Sequence, residues 1–187
     1  MKRRHAPRRN APALPLLLLL ALLASLPPAR AHVAPTAQRE HLTPEEIEQV
    51  RVNQTLDLRT GVFVKAVERR LAAIADPKAA EKLSAKELEQ WGAVEGTRAQ
   101  LLSDIDRIIE EAVTNIEDAA IHNEKSSLIP KSVRRLGEAA KAFLPQLTAL
   151  GTSSTDEAER GTVERILEKL QEIIEAAGKQ PAEVKKK

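Results

Sequence analysis

A chain of 187 residues with no Cys, two Phe, one Trp and no Tyr excludes a disulfide scaffold, a cysteine-ligated metal and an aromatic platform for stacking nucleic-acid bases. The charge is unevenly laid out: six of the 29 Lys and Arg and none of the 27 Asp and Glu fall in residues 1–31, which leaves 23 against 27, a net of −4, for residues 32–187. That weakly acidic remainder lacks the basic footprint of a nucleic-acid binder, and a Leu, Ile, Val and Ala core without alternating β-branched runs predicts an all-α fold.

Residues 1–31 read as a cleaved secretory signal peptide. Lys2, Arg3, Arg4, Arg8 and Arg9 form a basic head, Leu14 to Ala24 an apolar run, and Ala29-Arg30-Ala31 a small-x-small cleavage site. At about 1.5 Å of rise per residue the run covers roughly half of a bilayer core about 30 Å thick. The expected product is exported, periplasmic or extracellular, with no membrane span in the mature chain. Its remaining residues are one domain's worth. Residues 32–42 are polar and aperiodic, which predicts a flexible lead-in.

A helical bundle domain is expected over residues 43–178. Thr43, Pro44 and Glu46 have the spacing of a capping box, opening a short helix with Ile47 and Val50 on one face. Asn53-Gln54-Thr55 interrupts it. Asp57 is placed to cap a second helix with Phe63, Val67, Leu71 and Ile74 in register; Gly61 loosens its first turn and Asp76-Pro77 ends it. The longest helical pattern runs from Ser84, with Glu87 three residues on, to His122. Leu88, Trp91, Leu102, Ile105, Ile109, Ala112, Ile116 and Ala119 share its stripe, which makes it the central helix of the expected bundle. Gly92 and Gly96 leave two readings open there, a close helix approach or a loose first two turns. Pro130 suits the first turn of the next helix, Pro145 predicts a kink and Gly151 a stop. Ser154 with Glu157 spells another capping box, before a last helix carrying Val163, Ile166, Leu170 and Ile173 and stopped by Gly178. Residues 179–187 read as a disordered basic tail.

The expected architecture is therefore an antiparallel bundle of about five helices, two of them short, around Ser84–His122. A coiled-coil-like hairpin that completes its core by dimerising is the alternative. Ser84–Glu124 holds ten acidic and three basic residues and Lys125–Leu150 one acidic and five basic, so these two segments are expected side by side and antiparallel.

The residues with chemical potential are few. Asp118 and His122, four apart on a helix, could give two metal ligands, but a site needs at least a third. His32, the new amino terminus after cleavage, could chelate copper with help from His41 or His122. The carboxylate pairs Asp104 with Glu111 and Glu110 with Glu117 could do acid–base work, yet acidic residues on the outer face of a long helix are ordinarily solvated. Ser126-Ser127 and Thr152 to Thr155 read as turns and caps, since no His or Lys stands ready to activate them. Asn53-Gln54-Thr55 fits a glycosylation sequon, and Lys179 with Lys185 to Lys187 a weakly basic end. No catalytic, cofactor-binding or metal residue is assigned.

Leu42-Thr43-Pro44-Glu45-Glu46 and Leu83-Ser84-Ala85-Lys86-Glu87 resemble the paired Leu-Thr-x-x-Gln motifs of the small periplasmic stress chaperones of the Spy and CpxP type, with Glu where those proteins have Gln. The resemblance implies an all-helical fold and a holding or stress-binding role. The residues themselves predict a non-enzymatic structural or interaction module with an unknown protein partner or with itself, and no nucleic-acid partner.

Overall fold

The computed structural model describes residues 39–78 and 83–180, and among them six α-helices and no strand. The helices are α1 Pro44–Val52, α2 Leu56–Ala75, α3 Ala85–Trp91, α4 Arg98–His122, α5 Leu128–Ser153 and α6 Glu157–Gly178. The expected signal peptide, His32, most of the expected lead-in and the tail from residue 181 lie outside the described residues.

Local capping chemistry places the helix starts. Glu46 N donates to Thr43 Oγ1 at 3.1 Å while Thr43 N donates to Glu46 Oε2 at 2.9 Å, and Ser84 with Glu87 repeats the box at α3. A third box, Thr97 with Gln100, opens α4. It marks a correction. Ser84–His122 is two helices joined by an extended segment over residues 92–97, because Gly92 at φ 69° terminates α3 and Thr97 restarts the chain. A Cβ at Gly92 would overlap the Glu45 carboxylate, so that turn also depends on having no side chain.

Three smaller expectations change for local reasons. Thr55 is the N-cap of α2, and Asp57, instead of capping, accepts from Lys131 Nζ at 2.6 Å. Asp156 caps α6 by accepting from the amides of Ala158 and Glu159, leaving Ser154 Oγ to donate to Glu159 Oε2. Gly151 does not stop α5, which runs on to Ser153; Val163 of α6 packs against that glycine.

Cross-helix bonds give the helix directions. Lys131 near the start of α5 meets Asp57 near the start of α2, so those two run parallel. Arg59 donates to Asn115 Oδ1 and Arg70 Nε lies 3.9 Å from Asp104 Oδ2, so α2 and α4 are antiparallel. Arg98 with Glu159 and Lys169 with Asp106 set α4 and α6 parallel, while Gly137 against Ala177 and Gly151 against Val163 set α5 and α6 antiparallel. α6 packs most extensively on α5 and α4 on α2; contact between α4 and α5 is sparse. The acidic and basic segments are therefore across the core from each other, which corrects the side-by-side expectation. Acidic α4 instead draws cations from α6 and from Arg39, and basic α5 pairs with Asp57 of α2.

The shared core is aliphatic apart from Phe63 and Phe143. Phe63, Leu102, Ile105, Ile108, Ile109, Leu147, Ile166 and Leu170 are fully buried at its centre, where apolar burial at about 25 cal/mol per Å² drives the packing. Residues 39–42, placed by the sequence in a flexible lead-in, lie against the domain: Leu42 is buried and Arg70 Nη2 donates to the His41 carbonyl at 2.6 Å.

Candidate functional site

Two features stand apart from ordinary helix packing. The first is a buried charged network where residues 39–46, α2, the α3–α4 link and α4 converge. Glu46 is fully buried and accepts from Arg69 Nη1 at 2.5 Å and from Arg70 Nη1 and Nη2 at 2.9 and 2.8 Å, with the Thr43 amide as a further donor. Arg70 also reaches the carbonyls of Ala66 and His41, and Arg69 those of Trp91 and Gly92. Thr43 Oγ1 adds a 2.7 Å bond to the Trp91 carbonyl. One segment of entering chain is thus tied to the link between α3 and α4 through the two arginines of α2.

A second half of the network faces α4. Arg39 Nη1 pairs with Asp104 at 2.7 Å and its Nη2 donates to the Glu95 carbonyl, while His41 Nε2 lies 2.6 Å from Glu111 Oε2. Burial pushes the Asp104 carboxyl above its usual range, and Arg39 and Arg70 pull the other way without cancelling it. The pair Asp104 and Glu111, singled out by the sequence, is thereby separated in role: each carboxylate has its own partner on the entering chain, Arg39 for Asp104 and the His41 ring for Glu111. Buried ionic groups survive when paired and hydrogen-bonded, and here every carboxylate oxygen of Glu46 is spent that way. The arrangement cross-links the entering chain, α2, the α3–α4 link and α4.

The other candidates are dispersed. His122 Nδ1 sits 2.7 Å from the main-chain oxygen of Asp118, so the ring engages backbone and not the neighbouring carboxylate. Among the described residues no group of three His, Cys, Asp or Glu is placed to hold a metal ion. Ser126 Oγ accepts from the Leu128 amide, and Thr152 and Ser153 donate to carbonyls of their own helix. Asn53 Nδ2 donates to the Gln49 carbonyl at the end of α1. No described helix is long and apolar enough to cross a membrane.

The second feature is an apolar groove between the later halves of α4 and α6. Its floor is Val113, Ile116, Val133, Leu136, Ile173 and Ala176. Its rims carry Glu110, Thr114 and Glu117 on α4 and Lys169 and Glu172 on α6. The earlier half of the same seam is closed by ion pairs. Arg98 meets Glu159 at 3.2 Å, and Lys169 meets Asp106 and Glu110 at 2.9 Å each. Burial works to lower the Lys169 pKa, but the bonds to those two carboxylates outweigh it and leave it raised. Beyond Lys169 the pairing stops.

Close packing of α5 on α6 lies beside the groove, whose bottom includes Leu136 of α5. Gly137 of α5 lies so close to Ala177 that a Cβ there would overlap the alanine methyl. Small residues let two helices approach, and α6 packs more extensively on α5 than on α4. The sequence reading missed the groove. Its signals were present as Gly137 inside a helical register and as Glu117, earlier paired only with Glu110.

No protein-family model, no curated protein and no solved structure matches this chain.

Proposed function

We propose that the protein is an exported helical module that works by binding another protein or a second copy of itself, and has no catalytic activity of its own. The observation that carries this reading is the division of labour in the bundle: the Glu46–Arg70 pair is consumed in cross-links, while a concave apolar groove has half-buried Val113 and exposed Ala176 at its surface and buried Ile116, Leu136 and Ile173 beneath them. Concave apolar surface with a few charged groups at its edge is what a binding face needs. The composition of residues 1–31 supports export. Self-association would take a coiled-coil-like form, two helical faces meeting along an apolar seam.

The test is cross-linking in the exporting cell together with the mass of the purified protein in solution. A stoichiometric partner, or a dimer mass, is expected. A turnover abolished by changing one polar residue, with melting behaviour unchanged, would replace this reading with an enzyme.

A holding chaperone is the second reading, supported by Ile47, Val52 and Leu58, which stand exposed on α1 and at the start of α2. It predicts suppression of client aggregation at near-stoichiometric amounts. Light scattering with a heat-labile client measures this, and an unchanged aggregation curve removes it.

A further inference from the structure

The groove between α4 and α6 selects a kind of partner, an inference that rests on reading the protein as an interaction module. The seam between these helices follows one pattern from its start: an acid on one rim meets a base on the other, Glu159 with Arg98, then Asp106 and Glu110 with Lys169. Further on, one turn past Lys169 on α6 and about two past Glu110 on α4, the rims hold Glu172 and Glu117. Neither has an ion-pair or hydrogen-bond partner among the described residues, and both are exposed. The open half of the seam has an apolar floor and acids on both sides, and among the described residues the one cation that lines it, Lys169, is engaged by Asp106 and Glu110.

The dimensions fit one helix. Val113 with Ile116 and Ile173 with Ala176 are spaced three apart on the two walls, and from Lys169 to Ala176 the wall rises about 10 Å, two helical turns. Val133 and Leu136 of α5 close the bottom. Ile121, 80% exposed, stands one turn beyond Glu117 and offers apolar surface past the groove's end. We infer that this groove takes an amphipathic helix of a partner protein, its apolar stripe against the floor and Lys or Arg flanking that stripe between Glu117 and Glu172. Helix-in-groove recognition by anchors three and four residues apart is the mode the walls accommodate. A two-turn contact falls below the roughly 1,000 Å² of a stable complex, so affinity is expected at about 10–100 µM.

The probe is a labelled synthetic peptide of about 18 residues, leucine on one stripe and lysine elsewhere, beside a twin with glutamate for lysine. Four forms of the protein are titrated by fluorescence anisotropy: the unaltered chain, Ala176→Arg, the pair E117K/E172K, and E89K/E164K, an equal change of charge outside the groove. Circular dichroism confirms equal melting of all four. The lysine peptide is expected to bind the unaltered chain and E89K/E164K alike, to lose binding to Ala176→Arg, and to bind E117K/E172K about tenfold more weakly, in keeping with two exposed charge contacts. The glutamate peptide should prefer E117K/E172K. Binding that survives Ala176→Arg, or that E89K/E164K weakens as much as E117K/E172K does, overturns the inference, as does a lack of binding by either peptide. A dimer of the unaltered chain that Ala176→Arg makes monomeric in sedimentation assigns the groove to a second copy and overturns it too. A cellular partner cross-linked equally by the unaltered chain and Ala176→Arg sinks the groove while leaving the interaction module standing; no partner for any form removes both.

Discussion

Glu46 is a carboxylate carried wholly out of water, and the arginines around it are nearly as deep: Arg70 is 2% exposed. Removing one member of such a group strands the others, a cost of about 3–5 kcal/mol, larger than the net worth of the intact pair. Glu46→Ala is therefore expected to lower the unfolding free energy in urea by about 3 kcal/mol or more, and a loss under about 1 kcal/mol would show that Arg69 and Arg70 do not depend on it. Two other carboxylates titrate with opposite sign. The Lys131 ammonium bonded to Asp57 holds that carboxyl below its usual range, so its contribution is full above about pH 4 and drains away as pH falls through the lowered value. Asp57→Asn should flatten the acid limb of a melting-temperature series. Asp104 is raised by burial, so the folded state binds its proton more tightly; stability is gained below about pH 4 and lost as pH rises through the raised value. Asp104→Asn should flatten that decline in the same series. These roles were not legible in the sequence, because Glu46 and Arg70 are 24 positions apart and Arg39 and Asp104 65 apart. Capping boxes at Thr43 and Ser84 were legible, since donor and acceptor lie three residues apart.

Between helices, glycine carries information that a register count hides. In an exposed helix interior Gly→Ala is worth up to about 1 kcal/mol of added stability, and Gly161 of α6, where an added Cβ would meet nothing within 4 Å, should follow that rule. Gly137 should break it. Its Cβ would enter the Ala177 methyl, and overpacking costs about 1–3 kcal/mol, so Gly137→Ala destabilises where Gly161→Ala stabilises. Urea midpoints of the two variants decide it, and a shift in the same direction would mean that α6 yields freely. The same reasoning explains the broken central helix. Leu88 and Trp91 fit the stripe of Leu102 and Ile105, so periodicity bridged the gap, but no residue of α3 is buried and Gly92 adopts a positive φ. Register shows which residues agree in phase; it does not show whether the backbone between them stays helical.

For the molecule as a whole, all-α character followed from composition and period, because aliphatic residues at 3-4 spacing have few other ways to be buried. Helix order around the core did not follow. Charge balance favoured α4 beside α5, whereas the short connection only required their ends to meet, and Asp57 and Lys169 gave each helix a different charge partner. The domain's lower edge also reaches further than polarity suggested. A chain beginning at Thr43 loses the Leu42 burial, the Arg39–Asp104 pair and the bond from Arg70 to the His41 carbonyl, and should unfold at least about 2 kcal/mol more easily. Combined with Glu46→Ala the two losses should fall short of their sum, since both act through Arg70. Strict additivity in urea would separate the entering chain from the network.

The close contact at Gly137 also makes it a spacer between α5 and α6, next in the chain to Leu136 at the bottom of the groove. A methyl added there would meet Ala177 and press α6, which carries Glu172 and Ile173, away from α5, while Val113 and Glu117 stay on α4. The residue that sets the spacing of α5 and α6 is thus not among those that line the groove, so substitution can change the one while the chemistry of the other is kept.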